Sequence, residues 1–481
     1  MSDSKHQASE AARIQEILKP ASRLDRRGFF VAVAATSVAA TSGGAAAQQP
    51  NQVAAAEVLP NLPPPDTLHH SMRKSIGRSR KTFVKDLGQL VDLNPYNQGG
   101  AYWNFNTFIT PIDQFYIRNE FGTPRPDLDK RVDRQHWTLK IHGNSVEREL
   151  TITYNDLLKM PSRHIICTME CAGNGRSLFW EQQNMVSDPQ KVGGTGWGLG
   201  GIGQAEWQYV PMSHILSLVG LKKTAKQMLF WSGVDNKGDV PGGIGDRGRP
   251  IDISMLRQHA DVIGLAFKMN GKDLPADHGG PVRALVPGYC GAASTKWLTE
   301  IKIADHNFWV PLNSTAHVLI GPDYAPPKPV AGDEFRGGIT AEKVLGQAVA
   351  WSPPKSLITV PLVLEKQPKY PHNYPLKPGE LPKLAAGQQM MRGYAWAPQY
   401  GVRHVDYRVD GGAWQKARIE MPNLGRYTWV RFDFPWDAAA GRHVIETRVT
   451  DRKGVAQPET VPFNRGGFDY WGIPKFHVQV I

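Results

Sequence analysis

Cys167-Thr168-Met169-Glu170-Cys171-Ala172-Gly173-Asn174-Gly175-Arg176 is the stretch on which the reading of this chain turns. The residues before it, Leu150 to Ile166, contain strand-like apolar positions. The run then breaks into small and polar residues, so a thiol is delivered at a strand end into a tight Gly/Asn turn. Only three cysteines occur in 481 residues, and two of them lie here. Sulfur chemistry, if the chain performs any, belongs at this turn.

Outward from that turn, the chain has the composition of a soluble globular protein. It is 41% hydrophobic and 21% charged, and long enough for two or three domains with full cores. Its 48 glycines and 37 prolines, set among short apolar runs, favour a β-rich, loop-rich architecture over a helical bundle. The formal charge of +12 is spread along the chain and not gathered into Lys/Arg blocks. That distribution argues against nucleic-acid binding and for an anion or an acidic partner.

Upstream, Arg26-Arg27-Gly28-Phe29-Phe30 precedes a modest apolar run, Phe29 to Ala40, too short to span a bilayer. Ala45, Ala46 and Ala47 then offer a small-residue cleavage site, so residues 1–47 read as a twin-arginine signal for export to the periplasm. This segment carries six Lys/Arg and four Asp/Glu, and its removal leaves a mature charge of about +10. Three cysteines cannot form a disulfide framework, which in an exported protein points to an unpaired thiol with another task. Residues 48–93 read as an extended N-terminal segment, first Gln/Pro/Asn-rich and then basic.

Downstream, short apolar runs at Trp137 to Ile141, Met228 to Trp231 and Val282 to Val286 alternate with turns, while Pro211 to Val219 and Ile253 to Ala260 predict short helices. That pattern describes an α+β domain over 94–333. Pro-rich stretches at Tyr324 to Gly332 and Gln367 to Leu384 bracket the entry to a second region. There the period becomes two: Val405, Tyr407, Val409, an Asp410-Gly411-Gly412 turn, then Thr428 to Phe434, His443 to Val449 and Phe476 to Val480. Such alternation predicts a β-sandwich over 334–481.

Familiar motifs are few. Gly198-Leu199-Gly200-Gly201-Ile202-Gly203 satisfies G-x-G-x-x-G but follows a Gly-rich loop, with no acid about twenty residues on, so it does not predict a dinucleotide site. Haem-attachment, zinc-protease, nucleophile-elbow and P-loop patterns are absent from the sequence. What remains is Cys171 with Arg176 five residues on, Arg118 upstream and Trp197 downstream. These could form a pocket for a small oxyanion beside a soft metal ligand. They read equally as a buried cysteine in a turn with arginines in ordinary ion pairs, and the residues alone leave both standing.

In order along the chain, Thr110-Pro111, Phe115-Tyr116-Ile117-Arg118-Asn119, Cys171-Ala172-Gly173-Asn174 with Arg176, and Trp197 closely resemble the sulfite oxidase family of molybdenum enzymes. So do Gly203-Gln204-Ala205-Glu206-Trp207, Met269-Asn270-Gly271, Asp277 to Arg283, Pro287-Gly288 and Lys296-Trp297-Leu298. The match runs from about residue 95 to 305 and more weakly to the C-terminus.

The resemblance implies a sulfite-oxidase-type molybdopterin domain followed by an immunoglobulin-like β-sandwich dimerisation domain. It implies a molybdenum-molybdopterin cofactor ligated by Cys171, with Cys167 and Cys290 structural. The cofactor would be held by Phe115, Tyr116, Ile117, Arg118, Asn119, Asp235, His278, Arg283, Ser294, Thr295 and Lys296, since a phosphate favours Arg, Lys, His and backbone donors. Arg118, Arg176 and Trp197 would line an oxyanion pocket, with Arg465 a further anion contact from the C-terminal region. The implied reaction is oxidation of sulfite to sulfate, with electrons passed from a haem-free chain to a separate acceptor such as a c-type cytochrome, in a homodimer. A sulfane dehydrogenase-like subunit, an enzyme of another sulfur oxyanion and a cofactor-less binding relative are the alternatives.

Three departures from the family pattern stand out. Gly175 occupies a position where many relatives have a second Arg, Arg247 falls near the family's active-site Tyr, and Ala293-Ser294-Thr295 replaces a basic segment before Lys296.

Overall fold

A computed structural model of the chain describes residues 90–94, 97–100, 105–119, 123–124, 129–182, 192, 194–233, 247–360, 381–420 and 423–481. All of these lie in the compact unit spanning 63–481. The signal expected over 1–47, most of the extended segment expected over 48–93, and Asp235 fall outside the described residues. No helix among the described residues is long and apolar enough to cross a membrane.

Two five-stranded sheets build the first part. One runs Lys272–Asp273, Gly264–Met269, Ile202–Pro211, Arg163–Glu170, with Arg283–Leu285 also pairing to Gly264–Met269. The other runs Leu150–Thr153, Thr138–His142, Glu300–Ala304, Gln227–Ser232, Arg247–Asp252, and its pairing of Glu300–Ala304 with Thr138–His142 is parallel. Between the sheets, the apolar faces of the helices Met212–Val219 and Ile253–His259 bury Met212, Ile215, Val219, Ile253 and Leu256 in one core with Leu139, Ile141, Phe230, Leu265 and Ile301. Both helices start where the sequence changes period, one after Pro211 and the other after Asp252.

The strand before the reactive turn is shorter than the apolar content of Leu150 to Ile166 suggests. Thr153 and Asp156 form a capping box, each side chain accepting from the other's backbone N–H, and this starts the helix Tyr154–Lys159 between Leu150–Thr153 and Arg163–Glu170.

The second part is two facing sheets, antiparallel except for the parallel pairing of Lys383–Leu384 with Lys475–Val480. Lys355–Val360, Gly387–Trp396, Val430–Ala438 and Arg418–Ile419 form one. Lys383–Leu384, Lys475–Val480, Gly441–Asp451, Val402–Val409 and Gln415–Lys416 form the other. Val405, Phe432, Phe434, Ile445, Val449, Phe476 and Val478 point inward, as period two requires. Asp410 and Gly411 turn the chain with φ of 50° and 69°, and Gly412 N–H closes the turn on Val409 O at 2.9 Å.

The core of this sandwich is not its own. Leu178 and Phe179, from the helix that follows the cysteine turn, and Leu199 and Ile202 belong to the same apolar cluster as Trp396, Trp429 and Phe432. Backbone and side-chain bonds cross here as well: Thr168 N–H donates to Tyr427 O at 2.9 Å, and Trp429 N–H to Gln204 Oε1 at 2.8 Å.

Candidate active site

The strand Arg163–Glu170 ends one residue before Cys171, and residues 172–175 form the turn into the helix Arg176–Gln182. Hydrogen bonds hold this turn at both ends. Cys171 N–H donates to Gly201 O at 2.8 Å, Asn174 N–H to Cys171 O at 2.9 Å and Gly175 N–H to Gly198 O at 2.7 Å. Gly175 has φ of 87°, in the left-handed region, so the turn itself accounts for a glycine there. The G-x-G-x-x-G run leads into the strand Ile202–Pro211 instead of following one, and Gly200 serves close approach: a Cβ there would sit 2.0 Å from Gly100 O.

Cys171 lines a cavity of about 120 Å³. Around it stand Arg118, Arg247, Arg283, Lys296, His278 and His317, with no carboxylate among the described lining residues. A wall of this composition gives an anion several donors and no like-charged neighbour. Phe115, Tyr116, Asn119, Ser294 and Thr295, all expected at the cofactor, line the same cavity. Ile117 lies beside them in the short strand Ile117–Arg118, fully buried.

Two cations act as ties within the wall. Lys296 Nζ donates to Arg118 O at 3.1 Å, Asn119 Oδ1 at 2.6 Å and Asp277 O at 2.6 Å, joining three segments distant in sequence. The Arg283 guanidinium, 2% exposed, donates to His278 O at 2.8 Å and Ser294 O at 2.7 Å and sits 5.4 Å from the Trp207 ring. Burial lowers its pKa to about 10, and His278 packs edge-on against Phe115 at 5.3 Å. Burial also holds the Tyr116 phenol well above its ordinary value, with the nearby Cys171 adding to the effect.

The other two thiols are placed differently. Cys167 is fully buried within its strand and Cys290 nearly so, and burial pushes them up to about 12 and about 11. Neither lines the cavity, and thiols raised so far are poor ligands and nucleophiles.

Three residues expected in front of the metal are not in the cavity wall: Arg176, Trp197 and Arg465. Arg176 is 5% exposed and turned beneath the turn. Its Nε donates to Gly466 O at 2.8 Å and Nη1 to Thr195 O at 2.7 Å, and its guanidinium covers Phe468 at 4.8 Å. Such contacts make it a strut between the turn and the C-terminal segment, and they are protein carbonyl contacts in place of the anion contact expected from the sequence. Trp197 stands behind Tyr116, edge-on at 5.9 Å, and Arg465 joins Ile320 O through its backbone N–H at 2.8 Å.

The wall also contains residues the sequence did not single out, including Ser232, His317 and Leu312. Arg247 was noted as a departure, and it pairs with Ser232 across the strands Gln227–Ser232 and Arg247–Asp252, which brings both to the cavity rim. Two buried hydroxyls, Ser232 Oγ and Thr295 Oγ1, have no hydrogen-bond partner among the described residues. A phosphate-bearing cofactor fits this donor set, because buried hydroxyls without partners are costly and phosphate oxygens satisfy them. Among the described residues no group of three His, Cys, Asp or Glu side chains could hold a metal by itself.

A family model described as the oxidoreductase molybdopterin binding domain matches residues 125–310. Mitochondrial sulfite oxidase of Rattus norvegicus is 30% identical over 387 residues, which is 78% of this chain and 62% of that protein. An NADH nitrate reductase of Ulva prolifera is 30% identical over 223 residues, 46% of this chain and 24% of that protein. The chain thus spans less than two thirds of the length of these relatives. Among solved structures, the sulfane dehydrogenase SoxCD from Paracoccus pantotrophus shares the fold, with a TM-score of 0.61 and 22% identity over 89% of this chain and 94% of that one.

Proposed function

We propose that this chain is a molybdopterin oxidoreductase of the sulfite oxidase family, that it oxidises sulfite to sulfate in the periplasm, and that it passes the electrons to a separate acceptor such as a c-type cytochrome. The observation that carries the proposal is the composition of the cavity wall: one thiol facing four Lys/Arg and two His side chains with no described carboxylate. When bound, the molybdenum cofactor supplies oxygen-atom transfer and accepts the two electrons. In the balanced reaction sulfite and water give sulfate, two protons and two electrons. A homodimer joined through the sandwich is the proposed assembly.

The chain's own residues then divide the work. Cys171 supplies a soft anionic ligand from a turn fixed by its backbone bonds. Ser232, Thr295 and His278, with the segments tied by Lys296 and Arg283, receive the cofactor's polar groups. Arg118 and Arg247 neutralise the substrate dianion and hold the product as its charge redistributes. Phe115 and Tyr116 give the pocket an apolar side, where these interactions are strengthened by the exclusion of water.

Molybdenum analysis of the matured protein, together with bleaching of its charge-transfer absorption by sulfite, tests the proposal. About one molybdenum per chain and bleaching by sulfite ahead of sulfane compounds are the expected results. A matured protein without molybdenum would remove the enzyme reading, and bleaching by sulfane sulfur alone would move the substrate.

Two arginines give a contrasting pair. Arg247→Gln is expected to raise the KM for sulfite about 10- to 150-fold, a larger effect than on the melting temperature, since a charge-assisted contact contributes about 1.5–3 kcal/mol. Arg176→Gln is expected to do the reverse. It lowers the melting temperature by several degrees because the bonds to Gly466 O and Thr195 O are lost, and it leaves KM within about twofold. Steady-state kinetics and calorimetry on both variants read the contrast.

A further inference from the structure

Glu170 and Cys171 are adjacent, and their side chains leave the strand end on opposite sides. Cys171 faces the cavity, while Glu170, 3% exposed, points away into the junction with the sandwich. Every bond that Glu170 makes is directed. Its Oε1 accepts from Lys355 Nζ at 2.7 Å and Asn174 Nδ2 at 2.9 Å, and its Oε2 accepts from Trp396 Nε1 at 2.9 Å. Lys355 Nζ donates again to Asn174 O at 3.1 Å, and Asn174 Oδ1 accepts from Gly201 N–H at 2.9 Å. Gly201 O in turn accepts from Cys171 N–H at 2.8 Å. The circuit leaves the turn, enters the sandwich and returns to the backbone of the cysteine.

Lys355 and Trp396 arrive together because they are cross-strand partners in the sheet formed by Lys355–Val360 and Gly387–Trp396. Both charged groups of the Glu170–Lys355 pair are 3% exposed. A buried ion pair is weak support for stability, since a well-packed apolar pair does as well or better. Its advantage is geometric: each oxygen and each N–H accepts only one arrangement, and the turn has no freedom to settle elsewhere.

We propose that Lys355 and Trp396 of the sandwich act through Glu170 as positioning residues for the Cys171 thiol, so that the ligand geometry of the first part is set by the second. The proposal rests on the reading of Cys171 as the metal thiolate. The sandwich thereby has a role in the chemistry separate from any role in assembly.

The test uses the full chain with Lys355→Met, Glu170→Gln and, as the mildest change, Trp396→Phe. In molybdenum-free protein, the rate of iodoacetamide labelling at Cys171 is followed by mass spectrometry, with Cys167 and Cys290 as internal references. Loaded protein gives molybdenum content, the energy of the charge-transfer band, and kcat and KM. Partners behind a metal ligand typically influence affinity or activity about 10- to 100-fold. Lys355→Met is expected to lower kcat by about that factor, with KM within about twofold, to shift the band and to change Cys171 labelling relative to Cys290. Trp396→Phe should move the same readouts less and in the same direction. Glu170→Gln, which keeps the shape of the acceptor, should fall between the two.

A purely structural role would lower the melting temperature and molybdenum content without moving band energy or relative labelling, and that outcome would overturn the proposal. Should Lys355→Met fail to fold, unchanged band energy and labelling in Trp396→Phe and Glu170→Gln would overturn it equally. If the wild type takes up no molybdenum, the metal reading fails on its own, and the labelling arm still decides whether the network positions the thiol.

Discussion

Cys171→Ser is expected to bring sulfite turnover down to background while the protein stays folded. A serine hydroxyl is too weakly acidic to become an anionic ligand at neutral pH, and oxygen is a hard donor where the proposed site needs a soft one. The structural cost is small by comparison. The side chain is 5% exposed and changes by one atom, and a hydroxyl left without a partner there costs about 1–3 kcal/mol. The turn's backbone bonds, from Cys171 N–H to Gly201 O and from Asn174 N–H to Cys171 O, remain available to serine. Molybdenum content, the charge-transfer band and the melting temperature measured together separate loss of ligation from loss of fold. Wild-type turnover in Cys171→Ser would dismiss Cys171 as the ligand. Cys167→Ser serves as the control, since its thiol is buried within the strand and outside the cavity wall.

Arg283→Met is expected to empty the site of cofactor, with molybdenum falling about 10- to 100-fold. It is also expected to lower the melting temperature. The guanidinium joins His278 O to Ser294 O, so it holds together two segments that the proposed cofactor must touch at once. Methionine approximates the arginine's aliphatic stem and removes the buried charge, but it leaves two carbonyls unpaired at about 1–3 kcal/mol each. Arg283→Lys should retain more stability than Met yet still lose cofactor, because a single ammonium does not reproduce a fork that spans two carbonyls. Metal analysis and calorimetry on the two variants give the answer. Full molybdenum occupancy in Arg283→Met would show that the cradle assembles without the tie.

Both expectations depend on one property of the site, that its residues are tied more strongly to each other than to solvent. The same property explains why arginines close in sequence to Cys171 do not share its task. Arg176 is required by the carbonyls of Thr195 and Gly466, so its charge serves the underside of the turn, while Arg247, 76 positions beyond Cys171, reaches the cavity through its pairing with Ser232. Nearness along the chain placed Arg176 in the pocket, and strand register placed Arg247 there.

What the sequence determined by itself is local. Period-two alternation from Val405 to Val480 and the Asp410-Gly411 turn write the sandwich strands directly, because inward and outward positions must alternate on a pleated sheet. The scarcity of cysteine, the strand end before Cys171 and the Gly/Asn turn after it are likewise visible in ten consecutive residues. Most of the wall residues contributed by 115–119 and 278–296 were named only through the resemblance to the sulfite oxidase family, whose motifs those segments match.

The tertiary structure alone decided what depends on distant pairs. The capping box that divides Leu150 to Ile166 is a local signal that the apolar count obscured, but the shared core of Phe179 with Trp429, the hydroxyls of Ser232 and Thr295 in one wall, and the Lys355–Glu170 bond across 185 positions have no local trace. The physical reason is the same in each case. A charge or hydroxyl buried by folding must find its partner wherever the packed chain brings one, and periodicity carries no information about which segment that will be.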